Sequence, residues 1–145
     1  YPYRSKIWVR LRFSLGVITR VKTMKVEINL WDGTKQRRAA LRYVPATPAF
    51  QYLNTAGGWS SLAALAINLV ADTWHELTFC LDLALNQYIS AFFSGKYADL
   101  RTVGYYEVGV NTTRQANVSI YLDAADTNRP ILAVDDVMVG EHVSI

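Results

Sequence analysis

Trp74-His75-Glu76-Leu77-Thr78-Phe79-Cys80-Leu81-Asp82, followed by Gln87-Tyr88-Ile89-Ser90-Ala91-Phe92-Phe93-Ser94-Gly95-Lys96-Tyr97, is the stretch whose reading decides the fold. In its first half Leu77, Phe79 and Leu81 alternate with Glu76, Thr78 and Cys80, the period of two that belongs to a strand with one face in a core. Asp82 to Asn86 is short enough to return the chain antiparallel, and Ser94-Gly95 ends the returning strand with a residue that tolerates positive φ. A pair of antiparallel strands is the consequence.

Working outward, the same alternation recurs. Ile7, Val9, Leu11, Phe13 and Leu15 fall on one side of a segment from Lys6 to Leu15, with Trp8, Arg10, Arg12 and Ser14 on the other. Met24 to Trp31 places Met24, Val26, Ile28 and Leu30 opposite Lys25, Glu27, Asn29 and Trp31. Asp32-Gly33 is a strong hairpin signal leading into Lys35 to Val44, where Ala39, Leu41 and Tyr43 oppose Arg38, Ala40 and Arg42. Shorter strands are expected at Phe50 to Asn54 and Tyr105 to Val110, and closing strands at Asn117 to Asp123 and Ile131 to Gly140. Residues 60–71 read two ways. Leu62, Leu65, Ala66 and Leu69 keep helical spacing behind a serine cap, whereas Leu65, Ile67 and Leu69 alternate; the strand is the expectation, because the next one begins only a few residues later. About ten short strands with no repeated β-α alternation predict an all-β chain, an antiparallel two-sheet β-sandwich. At 145 residues, residues 1–145 read as a single domain, possible also as part of a longer parent chain.

The Trp-His strand, the Asp and the Tyr-bearing strand ending in a Gly turn resemble the centre of concanavalin A-like lectin/glucanase domains, including laminin G-like domains. Leu132-Ala133-Val134-Asp135-Asp136-Val137-Met138-Val139 is similar to the C-terminal strand of such domains. The resemblance covers Trp59 to Gly140 and reaches the N-terminal third by pattern only. It implies a concanavalin A-like jelly roll, with lectin-like or carbohydrate-active relatives and an extracellular setting, and it speaks to fold more than to activity.

Composition narrows the chemistry. The formal charge of +3 is mildly basic, with most of the excess in the first third, which suits either an anionic ligand or solvated strand edges that block aggregation. The single Cys80 makes no intrachain disulfide, and no apolar run reaches the roughly 18 residues of a membrane-spanning helix. No membrane partner is expected. Nucleic acid is not expected either, since the bases are spread over strands without the aromatic-basic signature of single-strand binders.

Glycoside hydrolysis needs paired carboxylates, and Glu76 has none two or four residues away on its strand. Alginate-type lyases of similar architecture use an Arg-rich strand, a His and a Tyr. Arg4-Ser5, Arg10 and Arg12 with the hairpin from Phe92 to Tyr97 resemble fragments of that set, but Lys6 stands where a glutamate is expected. Glu76, His75 and Tyr97 are therefore the only catalytic candidates, and His75 shares the parity of Leu77 and Phe79, as a core-edge residue would. Asp123, Asp126, Asp135 and Asp136 are calcium candidates, against which stands the ordinary use of Asp in turns and at strand ends; no other cofactor is expected.

Binding is the function best supported. Trp8, Arg10 and Arg12 share one non-core face, and Asn29 and Trp31, with Arg42 on the next strand, share another; if these strands are neighbours, they form one platform of indoles and guanidinium groups suited to a polysaccharide, possible also for an acidic one. The expectation is a non-catalytic glycan-binding module. A polysaccharide lyase or hydrolase, and an assembly domain whose aromatic face makes a homo-oligomer interface, remain as alternatives.

Overall fold

A computed structural model of the chain describes residues 6–141. Among these residues eleven strands form two antiparallel sheets: β1 (Lys6–Gly16), β2 (Val21–Asp32), β3 (Lys35–Val44), β4 (Ala49–Leu53), β5 (Trp59–Ala66), β6 (His75–Asp82), β7 (Gln87–Phe93), β8 (Lys96–Asp99), β9 (Tyr106–Val110), β10 (Arg114–Ala124) and β11 (Ile131–Glu141). One sheet, here A, runs β11-β1-β6-β7-β8; the other, B, runs β10-β2-β3-β4-β5, with β9 beside the first half of β3. The expected all-β, two-sheet sandwich is what the chain forms. No helix among the described residues is long and apolar enough to cross a membrane.

The alternating residues meet between the sheets. Phe13 of β1, Ile28 of β2 and Phe79 of β6 belong to one core, and an aromatic cluster ties the layers together: Phe93 stands 4.6 Å from Phe50 and 6.3 Å from Phe13, between centroids. Burying side chains of this size contributes roughly 1.5–3 kcal/mol each.

The strand expected within residues 60–71 forms as β5 and stops at Ala66; two departures in detail from the sequence reading have local causes. Between β4 and β5, Phe50 pairs with Leu62 but Ala49 pairs with Ala66, an irregularity that turns both Leu62 and Leu65 inward. Two buried leucines three apart are what give this strand its helical spacing. The second departure follows β7. The sequence predicts a single returning strand closed by Ser94-Gly95, whereas these two residues, both at positive φ, form a two-residue turn into the separate strand β8.

The β2–β3 hairpin is fastened by Asp32, whose Oδ1 accepts from the Lys35 amide (2.7 Å), the Thr34 hydroxyl (2.7 Å) and the Thr34 amide (2.8 Å), while Oδ2 pairs with Arg37. The Lys35 amide, then the Thr34 hydroxyl, hold this carboxyl well below the usual range, with Arg37 adding to the effect. A depressed folded pKa stabilises above the unfolded value of about 4 and is lost as pH falls through the folded one. The urea-unfolding gap between the chain and Asp32→Asn is therefore expected to be full near neutrality and to narrow as pH drops below about 4; a gap independent of pH would show that Asp32 contributes nothing through its charge.

Candidate functional site

The outer face of sheet B is built in rows by strand register. Asn117, Asn29, Arg38 and Tyr106 form one row across β10, β2, β3 and β9. Ser119, Glu27 and Ala40 form the next, and Tyr121, Lys25, Arg42, Gln51 and Ser61 the one after. Ala40 is fully buried and carries only a methyl group, and the long side chains around it close over it.

Glu27 organises those side chains. Its Oε2 accepts from Lys25 Nζ at 3.0 Å, its Oε1 accepts from Asn29 Nδ2 at 2.9 Å, and Arg38 Nε lies 3.8 Å away. Asn29 Oδ1 in turn accepts from Arg38 Nε (3.2 Å) and Gln36 Nε2 (3.3 Å), and Asn29 Nδ2 also reaches Asn117 Oδ1 at 3.2 Å. Burial alone raises the Glu27 pKa; the hydrogen bonds from Lys25 and Asn29 and the charges of Lys25 and Arg38 outweigh it, so the carboxyl lies below its ordinary value and stays ionised. Held in this way, Glu27 fixes the cations rather than supplying a proton.

Arg42 is fixed differently. Its guanidinium lies 4.3 Å from the Trp59 ring centroid, and its Nε donates to Gln51 Oε1 at 2.7 Å. Partial burial lowers its pKa, with the Asp123 charge opposing, and a guanidinium nevertheless stays cationic at neutral pH. No side-chain hydrogen bond among the described residues takes its two terminal nitrogens. Lys25 Nζ stands 4.1 Å from the centroid of Tyr121, and the Tyr106 ring packs on Gly57, a positive-φ turn residue where a Cβ would strike the ring. Three cations and one carboxylate thus surround Ala40, flanked by Trp59, Tyr106 and Tyr121.

The sequence candidates divide between the two outer faces. Asn29, Trp31 and Arg42 are on sheet B, whereas Trp8, Arg10 and Arg12 are on sheet A, so the single platform expected from neighbouring strands does not exist. The cause is the turn between β1 and β2, a short 3-10 segment (Ile18–Arg20) that carries the chain from one sheet to the other. Trp31 is also only 9% exposed, which removes its indole as an open stacking surface. Trp8 lies against Gly140 of β11, where any Cβ would collide with the indole. Arg12 pairs with Asp135 at 3.0 Å and covers Trp74, and Arg10 reaches Met138 Sδ at 2.8 Å.

The catalytic candidates do not assemble. His75 faces the core edge between Phe13 (5.9 Å) and Phe93 (5.6 Å), while Glu76 and Tyr97 project from the opposite side of sheet A. Arg4, Ser5 and His142 lie outside the described residues. The carboxylates raised as calcium ligands are dispersed: Asp123 accepts from Thr23 at 2.6 Å, Asp126 caps the turn at Asn128, Asp135 holds Arg12, and Asp136 stands beside it on β11. Among the described residues no group of three His, Cys, Asp or Glu gathers to hold a metal ion.

Glu27, Arg38, Trp59 and Tyr106 belong to this site without standing out as candidates in the sequence. For the arginines a signal exists in the spacing of Arg38, Ala40 and Arg42, which puts two guanidinium groups on one face of a strand across a small residue. The two aromatic residues sit in short strands far from β3 in sequence, and only the fold brings them beside its arginines.

Comparison with solved structures aligns the chain with an alginate lyase from Pseudomonas aeruginosa at 12% identity and a TM-score of 0.59, over 96% of this chain and 66% of that chain. It also aligns with a sialidase at 12% identity and a TM-score of 0.55, over 97% of this chain and 14% of that chain. The chain therefore spans less than two thirds of the length of either. At such identities the likeness shows the fold, a concanavalin A-like jelly roll of two antiparallel sheets. No protein-family model matches the chain, and no curated protein matches it.

Proposed function

We propose that the chain is a glycan-binding domain whose outer sheet-B face takes an anionic saccharide. The observation that carries this reading is the arrangement of Lys25, Arg38 and Arg42 around the buried Ala40, beside Trp59 and Tyr106. A planar guanidinium matches a carboxylate or sulfate with two parallel hydrogen bonds, and aromatic rings give the C–H faces of a sugar an apolar surface. Glu27 offsets only part of the positive charge while holding Lys25 and Arg38 in place. The alginate lyase and the sialidase, named for action on acidic saccharides, lend support to this ligand class. Binding is favoured over acid-assisted glycoside hydrolysis because Glu27, kept ionised, is unsuited to donate a proton to a leaving group near neutrality.

The test is calorimetric titration of the chain with an oligouronate and with the neutral oligosaccharide of the same linkage. The oligouronate is expected to bind more tightly, with an affinity that falls as salt is raised. Arg42→Ala is expected to weaken it by roughly tenfold, the loss of about 1.4 kcal/mol. Equal affinity for both sugars, or an unchanged affinity in a folded Arg42→Ala chain, would overturn the reading.

A further inference from the structure

The outer face of sheet A holds a depression of about 380 Å³ lined by Glu76, Thr78, Phe92, Ser94 and Gly95. That volume lies at the lower end of the range for small-ligand sites, roughly 300–1,000 Å³. We propose that it is a second saccharide site, separate from the sheet-B face and suited to a neutral sugar unit.

The chemistry of the lining argues for that ligand. Phe92 is 45% exposed and is steadied by Tyr97 at 4.9 Å between centroids, so a flat apolar ring stands open at the side of the depression. Thr78 and Phe92 are cross-strand partners, which sets the Thr78 hydroxyl beside the base of that ring. The hydroxyls of Thr78 and Ser94 make no hydrogen bond within the described residues, and each can both donate and accept. The Glu76 side chain is 54% exposed and is approached only distantly by Arg10, 4.0 Å from its Nε. It is an acceptor for sugar hydroxyls and repels a sugar carboxylate. The cations of this face are directed elsewhere, Arg12 to Asp135 and Trp74 and the Arg10 terminus to Met138. Gly95 leaves the rim low, with nothing within 4 Å of where a Cβ would stand.

An isotope-labelled chain titrated with neutral β-1,4-linked trisaccharides of glucose, mannose and xylose tests the site by amide chemical shifts. Saturable shifts at Thr78, Phe92 and Gly95 are expected with at least one sugar at concentrations up to roughly 10 mM, with Phe92→Ala weakening it about tenfold and Glu76→Gln severalfold. Arg42→Ala should leave this binding unchanged, which separates the outcome from that of the sheet-B reading. Absence of saturable shifts for all three sugars, or an unchanged affinity in Phe92→Ala, would overturn the proposal. So would shifts at these residues that follow protein concentration instead of sugar, because the occupant would then be a second copy of the chain.

Discussion

Phe93→Ala is expected to destabilise the chain by about 3–5 kcal/mol, the range for removing a large aromatic side chain from a packed interior. Phe93 is fully buried on β7 and meets Phe13 of its own sheet and Phe50 of the opposite one, with His75 at the margin. Its ring therefore fills the space where the two layers touch, and neither sheet can close the gap alone. Small domains hold a net stability of only about 5–15 kcal/mol, so one such cavity removes a large part of the margin. Urea unfolding would show it as a lower midpoint with an unchanged slope. A loss below about 1 kcal/mol would mean that the sheets do not meet at this ring.

The second large effect belongs to Tyr88→Phe, expected to cost about 2–3 kcal/mol although it removes a single oxygen. Tyr88 rises from β7 through the core and places its hydroxyl on the backbone of sheet B, where it accepts from the Ala40 amide (2.8 Å) and lies 3.0 Å from the Leu53 carbonyl and 3.3 Å from that of Ala40. The register of β3 with β4 runs from Val44 to Leu41 and stops there, and β9 takes over beside β3 from Arg38. Ala40 and Leu53 thus face each other at the fork where β4 leaves β3, and the phenol supplies hydrogen bonds that the ladder does not. Burial, with smaller opposing help from the Ala40 amide, pushes the Tyr88 pKa well up, so the hydroxyl keeps its proton. Phenylalanine would leave the amide and carbonyl buried and unmatched. Because Ala40 also lies beneath the side chains of the proposed sugar site, Tyr88→Phe should weaken oligouronate binding in the folded fraction as well; stability within about 0.5 kcal/mol of the unaltered chain would contradict this role.

Much of this fold is legible in the sequence, because a period-two pattern states which side of each strand is apolar. The alternation in β1, β2, β3 and β6 puts Phe13, Ile28, Leu41 and Phe79 on the core side, and all four are there. The same pattern is silent about which sheet a strand joins. Trp8 and Trp31 both point away from the core, yet from opposite layers, since consecutive strands need not pair. Parity also says nothing about cover. Trp31 faces outward between Gln36 and Gln115 in register and is still closed off from solvent, while Trp74, just before β6, is 46% exposed. The site depends on the part that is not legible: Glu27, Arg38 and Arg42 are close in sequence, but Trp59 and Tyr106 join them only through the β4–β5 and β3–β9 pairings.

The most direct measurement is a map of amide and indole chemical shifts in an isotope-labelled chain titrated with an oligouronate. Saturable changes at Asn29, Arg38, Ala40 and Arg42 and at the Trp59 indole, with Trp8, Arg10 and Arg12 unmoved, are the expected result. Changes confined to the Trp8 and Arg10 side, or none on either sheet, would contradict an anionic-sugar site on the outer face of sheet B.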